Sequence, residues 1–599
     1  MNKKLASVAA AVLSVALLAT ACSKAPEKTT DSKGTEQKVA KEAVLNTAWP
    51  YDVPPKSHFN VFATGTLNFP GGMFVDLMTS PFALYKWDTN SYEKQLAEDY
   101  TIDEAGKTVT VKIRKGAKWS DGTEVKADDA LVYAYIGWGK SYAMWRYVDK
   151  VTKVDDYTVQ YHMSNFSSIG VRYILRSNPQ PSSVYGDWAK KYQAFFDGGK
   201  AKTSDEVKAL NKEMDAFRPA DYVSSGPFKM DTKSITEAQI SINKRADAWN
   251  SSSVKIDKIV VYNGDTEPST PLVLNKTLDF VTHAFPPATE AQFKSMGLRI
   301  IRFPYYTGPA IFFNNKNETF QKVEVRQAIA HAVNRDEAGK VALGDSGKGV
   351  KEMSGMADAL NKQWLPADVQ SKLNHYEFDL KKADDLMVKA GYKKGADGVY
   401  ADAAGKKLEF EFSVPSDFTD WAAAAENVAQ QLTKFGIKTK VRGTLWSQYT
   451  TDMNDGKFSF GMLPWGSTQP HPQFAYIADM ITYNGGGKDE GATPEKPGQN
   501  FSVIQKYSGG EINFNKAITE SGFGTKLEEQ RPAVVKMAQA FNELLPIIPV
   551  FERYSNAPIQ DGAHVTGWPK DGDALLNNGS ADSFATLLIV NGTLTGVSK

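Results

Sequence analysis

Cysteine occurs once in this chain, at Cys22. A single cysteine excludes an internal disulfide and any multi-cysteine metal site. Histidine is also sparse: the seven stand at 58, 162, 283, 331, 375, 471 and 564, none paired at metal-ligand spacing. Excess charge of one sign is missing, since 70 Lys+Arg face 69 Asp+Glu. No basic field is left for nucleic acid. The chain contains no His-Glu-x-x-His, no Gly-x-Ser-x-Gly elbow, no Walker A and no dinucleotide fingerprint. GDSGKG, Gly344 to Gly349, lacks Lys-Ser/Thr at the right spacing and reads as a turn. No catalytic residue, cofactor or metal is therefore expected. A surface glycoside hydrolase, which needs only two carboxylates at a set separation in space, is the remaining enzyme reading.

A long apolar run is missing too. The longest, Leu5 to Ala21, is short and alanine-rich, follows Lys3 and Lys4, and ends at Cys22. A charged start followed by a short apolar stretch is an export signal; a span needs roughly 20 strongly apolar residues. Leu18-Ala19-Thr20-Ala21 before Cys22 resembles a bacterial lipobox, with the preferred Leu one place early and Ala19 in its slot. The expectation is cleavage after Ala21 and a thioether-linked lipid on Cys22, an anchor rather than a span. Ser23 to Val44 is polar and charged with little to bury, and reads as a disordered tether. The body would then sit at a cell membrane on its extracellular or periplasmic face.

What the chain has in quantity is aromatic residues, 11% of the total, with 12 Trp and 25 Tyr. A core does not need so many Trp, and some are expected at a binding surface. Strand and helix signals alternate throughout, so the fold class is mixed α/β. Thr108 to Arg114 alternates, with Val109, Val111 and Ile113 on one face, after a turn at Asp103 to Gly106. A helix follows from Lys126, with Asp128 and Asp129 in its first turn. Val325, Ile329 and Val333 mark a buried helix face; Trp421 to Phe435 is another helix, stopped by Gly436. Gly456 to Gly466 is a short strand ending in the loop PWGSTQPHPQF, Pro464 to Phe474.

Several stretches resemble the bacterial extracellular solute-binding proteins of family 5, binding subunits of ATP-driven importers. The longest is LAEDYTIDEAGKTVTVKIRKGAKWSDGTEVKADDALVYAY, Leu96 to Tyr135, whose Arg114, Gly116, Trp119, Asp121, Gly122, Ala127 and Asp128 match the family signature. SSGPFKM, INKRADAWN, VRQAIAHAVNR and ADDLMVKAGY follow in the family's order, and together the blocks cover nearly all of residues 45–560. The resemblance implies two α/β lobes joined by two hinge crossings, closing on a ligand. Lobe I would take about 45–305 and 556–599, with a subdomain near 86–222; lobe II would take 306–555. It also implies an ABC permease as partner, and a monomer is expected. Trp119 reads as packing, and Arg326 as pairing with a carboxylate inside its lobe.

Peptide-binding members resembling this chain carry an Asp after the strand that matches Gly456–Gly466, and it pairs with the peptide's ammonium. Here Thr468 and His471 lie near that place, and no Asp or Glu occurs between Asp455 and Asp479. The missing acid and the aromatic supply point to an uncharged, β-linked, cello-oligosaccharide-like ligand. A pyranose offers an apolar face for stacking and a rim of hydroxyls for polar groups. The expected binding residues are Trp465, Trp49, Tyr51, Asn60, Tyr305, Tyr306, Trp421, Trp446, Gln469 and His471, with Trp465 carrying most of the affinity. The alternative is an oligopeptide-binding protein whose acid comes from elsewhere, such as Asp420.

Overall fold

The computed structural model describes residues 42–485 and 496–597, apart from 68 and 70. The export segment, Cys22 and most of the tether lie outside the described residues. Among those described, no helix is long and apolar enough to cross a membrane.

Three sheets organise the molecule. The first runs 44–48, 258–262, 239–244, 228–230, with its first pair parallel and the rest antiparallel. Its strands are rich in β-branched residues, and Leu45, Ile240, Ile242, Ile259 and Val261 enter one core. That core is completed by residues from far along the chain, Ala557, Ile559 and Phe584 to Val590. The second sheet is antiparallel in the order 97–103, 108–113, 158–163 and 148–155, so its last two strands are swapped relative to chain order. Val109, Val111 and Ile113 are buried on one face of it, as their alternation predicts. The third sheet has five strands in the order 438–444, 409–415, 460–466, 307–313, 547–549. Separate cores cover its two faces, and the helix Thr419–Phe435 packs into one of them, ending at Gly436 with φ +119°.

The first and third sheets are joined by two segments that run side by side. Arg299–Ile301 pairs antiparallel with Ala557–Ile559. Further along, Tyr305 N–H donates to Arg553 O at 3.1 Å, and Ser555 N–H donates to Phe303 O at 2.8 Å. The second sheet's layer reaches the third sheet's lobe separately: Ser168 N–H donates to Gly524 O at 2.9 Å, and Gly524 N–H to Phe166 O at 2.8 Å.

Arg326 differs from the sequence expectation. Its guanidinium donates to the carbonyl oxygens of Phe320, Gln321, Leu544 and Leu545, and no carboxylate bonds it. The free carbonyls at the end of the helix Leu527–Leu544 do the work expected of an acid. Gly344–Gly349 is a turn followed by a short strand, Gly347–Gly349, paired with Phe551–Arg553.

Trp119 is buried, and its Nε1 donates to Asp129 Oδ2 at 2.8 Å. The same carboxylate accepts from the backbone N–H of Lys126 at 2.8 Å and of Ser182 at 2.7 Å. Asp129 therefore caps its own helix, fixes the tryptophan and holds the start of the helix Ser182–Asp197. Asp129→Ala removes the acceptor of the buried Trp119 Nε1–H and of two partly buried backbone N–H groups and should cost about 2–4 kcal/mol, read by urea unfolding of the purified chain.

Candidate functional site

A cavity of about 240 Å³ opens where the two crossing segments meet. Its apolar walls are Trp49, Met73, Phe280, Phe303, Tyr305 and Phe584; its polar atoms come from Thr282, Thr307, Thr468, Ser583 and Arg553. Trp49 follows directly on the first strand, Val44–Ala48. Tyr305 and Arg553 sit opposite one another on the paired crossings, with the Arg553 guanidinium 4.6 Å from the Tyr305 ring centroid. Arg553 Nη2 also donates to Thr282 O at 2.9 Å, which aims the guanidinium along the wall. Thr468 arrives from the loop after the third sheet's central strand. No Asp or Glu lines the cavity.

Of the ten residues expected at the site, the structure brings Trp49 and Tyr305 to this cavity. Trp465 is elsewhere. It is fully buried in the second core of the third sheet, and its Nε1 donates to Phe551 O at 3.3 Å. Its strand is the middle one of five, and such a strand is covered on both faces: Met462 enters one core while Leu463 and Trp465 enter the other. A Trp at the end of that strand is core even between Pro464 and Gly466. Gly466 ends the strand at φ +69°, and a Cβ there would lie 2.5 Å from Tyr306 O, so glycine is required.

His471 is a second correction. Buried, it caps the helix Pro472–Ile477 by accepting from Gln473 N–H at 3.1 Å, and its Nε2 meets Gln530 Oε1 at 3.1 Å. Burial pushes its pKa down to about 4. Asn60 is committed to the backbone as well: its Nδ2 donates to Met214 O at 2.7 Å and Phe217 O at 3.1 Å, and its Oδ1 accepts from Phe62 N–H at 3.0 Å. Loop asparagines often serve in this way. Tyr306 packs into the same core as Trp465. Trp421 and Trp446 form an aromatic cluster with Phe418, which stacks on Trp446 at 4.9 Å. Tyr51 OH donates to Thr236 O at 2.8 Å, away from the cavity. Gln469 is half-buried and does not line it.

Sequence reading missed Phe280, Phe303, Phe584 and Arg553. Four separate stretches supply them, so no local spacing joins them. One signal was available: Glu552 and Arg553 interrupt the apolar run Ile547 to Phe551.

Beside the cavity sits a group of buried ionisable residues. Asp420 opens the helix Thr419–Phe435, and its Oδ2 has no hydrogen-bond partner. Burial raises its pKa to about 6, opposed by the nearby Arg553 guanidinium and reinforced by Asp265. His283 Nδ1 lies 3.4 Å from Asp265 Oδ1, and burial lowers its pKa. Among the described residues, no group of three or more His, Cys, Asp and Glu is arranged to hold a metal ion.

Residues 91–487 match the family model for bacterial extracellular solute-binding proteins, family 5, middle region. The chain belongs to that family. A probable ABC transporter-binding protein of Deinococcus radiodurans is 28% identical over 407 residues, 62% of this chain and 64% of that one. The oligopeptide-binding protein AppA of Bacillus subtilis is 25% identical over 402 residues, 64% of this chain and 68% of AppA. The match thus spans just under two thirds of the Deinococcus protein's length. Two solved structures share the fold. A mannohexaose-bound periplasmic oligopeptide-binding protein of Thermotoga maritima superposes with TM-score 0.73 at 18% identity, covering 93% of this chain and 99% of that one. AppA in complex with a nonapeptide gives 0.69 at 18% identity, with the same coverage. Both are two-lobed binding proteins of the ABC-importer family.

Two outcomes follow from the placements above. Trp465→Ala should remove about 3–5 kcal/mol of stability, measured by thermal unfolding without ligand. Asp420 carries a pH signature. A carboxyl whose folded pKa lies above its unfolded value of about 4 adds stability below that pH and loses it as pH rises through about 6. The stability of Asp420→Asn relative to wild type should therefore rise by about 2–3 kcal/mol between those pH values, measured by urea unfolding at each pH.

Proposed function

We propose that this family 5 protein captures an oligosaccharide, β-linked and cello-oligosaccharide-like, between its lobes and delivers it to an ABC permease. The observation that carries this reading is the cavity wall: five aromatic rings, a short set of hydroxyls, one guanidinium and no carboxylate. Aromatic faces stack on the C–H face of a pyranose, and hydroxyls and a guanidinium bond its rim. Thr468 lies near the place where the resemblance puts the peptide binders' acid, and it lines the cavity. In this reading lobe I, about 45–305 and 556–599, closes on lobe II, 306–555, about the two crossings. The permease recognises the closed form, so preferential ligand binding to that form is the whole mechanism and no bond is broken. A lipid on Cys22 would keep the body at the membrane surface.

A second reading rests on one observation. The buried, unpartnered Asp420 Oδ2 offers a peptide's ammonium an acid from another element. Mass spectrometry of ligand carried through purification separates sugar from peptide. Tryptophan fluorescence titrated with β-linked di- to tetrasaccharides should respond, and Trp49→Ala should weaken that binding about tenfold, the loss of one stacking face. Silence towards every sugar, with a response to a peptide mixture, overturns the oligosaccharide reading.

A further inference from the structure

Arg553 and two groups within electrostatic reach of it each carry a buried polar atom without a partner, Arg553 Nε, Asp420 Oδ2 and His283 Nε2, and of the three residues Arg553 alone lines the cavity. Asp420 and His283 are each 4% exposed. They belong to three separate stretches. Asp420 comes from the first turn of the helix Thr419–Phe435. His283 follows the cavity residue Thr282, its ring 6.2 Å from that of Trp49. Arg553 ends the short strand Phe551–Arg553 and lines the cavity itself. Buried polar groups are almost always paired, and exceptions call for an explanation.

Their chemistry is mixed. With Nδ1 turned to Asp265, neutral His283 presents the lone pair of Nε2. Asp420 Oδ2 is likewise an acceptor, and Arg553 Nε–H is a donor. An ammonium only donates: it would leave Arg553 Nε–H unmatched and place a cation beside a guanidinium. A carboxylate only accepts: it would leave Asp420 and His283 unmatched and repel Asp420. A hydroxyl does both. Two hydroxyls on neighbouring carbons can give one proton to Asp420 and one to His283 while an oxygen accepts from Arg553.

We propose that Asp420, His283 and Arg553 form a diol-reading subsite that fixes one ring of the bound sugar, with Asp420 completing it from the second lobe. This rests on the oligosaccharide reading and adds which residues set its specificity. A site built to bond a hydroxyl rejects the analogue lacking it, because its own buried groups are then stranded. Trp49 and Tyr305 supply the stacking faces, so the diol subsite accounts for discrimination between sugars that stack alike.

The test is calorimetric titration of the full mature chain with cellotetraose and mannotetraose, then with single-deoxy forms of whichever binds tighter. In the wild type, removal of hydroxyls on one ring should cost about 100-fold or more in affinity, and removal on the other rings should cost little. Asp420→Asn should lose a comparable factor for the intact sugar and be nearly blind to the same deoxy change. Arg553→Lys should behave alike, which guards against a variant that fails to fold. A wild type that binds the intact sugar with no sensitive ring, or an Asp420→Asn variant that keeps the full deoxy penalty, overturns the subsite while leaving the oligosaccharide reading in place. Binding of a free amino acid mixture in preference to sugar overturns the diol assignment, since a zwitterion also matches donor and acceptor. Binding of neither sugar by the wild type overturns both.

Discussion

Everything at the candidate site hangs on two chain crossings hydrogen-bonded to each other. Arg299–Ile301 lies against Ala557–Ile559, and the pairing continues through Phe303, Tyr305, Arg553 and Ser555. The two crossings form one narrow ribbon, the geometry about which the proposed closure would turn. The ribbon also carries side chains: Phe303, Tyr305, Thr307 and Arg553 all line the cavity, so the connection between the sheets also supplies part of the wall. At its edge the backbone is strained: Tyr306 has φ +55° and packs against Gly466 at +69°. Such outliers concentrate where a structure is held in a working geometry.

Local order was readable from the residues, and long-range order was not. The hairpin at Thr108–Ile113, the helix closed by Gly436 and the packing role of Trp119 each depend on neighbours within about a dozen residues in sequence, where periodicity and turn chemistry speak directly. Trp465 depends on strand order. Its neighbours Gly308 and Phe551 come from other parts of the chain, and nothing near Pro464 states that its strand is central. Asn60 and His471 were misplaced for a related reason: a polar side chain in a loop serves backbone and ligand with the same atoms. Of that loop, Thr468 reaches the cavity, and Trp465 and His471 do not line it. Phe280 and Phe584 left no trace in sequence, because only folding brings them together.

Buried charge is handled in two contrasting ways. Where the helix Ser168–Leu175 meets the returning chain, Arg172 and Arg176 both bond Asp582, and Arg176 also bonds Asp76. The Arg172 guanidinium lies against the rings of both Tyr85 and Trp87, 4.2 and 4.3 Å from their centroids. Two cations and two anions balance there, and the two arginines hold Asp582 below the usual carboxylate range despite its burial. Around Arg553 the arrangement differs: Asp420 lies within electrostatic reach of the guanidinium and of a second carboxylate, Asp265, and a neutral histidine adds no charge. The first arrangement ties the fold together. Both clusters leave buried donors or acceptors unpaired, but only the second includes a residue that lines the cavity, Arg553.

The completion of the first core by Phe584 to Val590 and Leu594 bears on the order of synthesis. The third sheet is drawn from one uninterrupted stretch, Thr307 to Pro549, and can assemble as soon as that stretch emerges. The first sheet begins at Val44, yet part of its core is supplied by residues past 580. The lobe made first is thus finished last. The cavity draws on both ends of the sequence, from Trp49 to Phe584, so its wall is complete only once the whole body has been made.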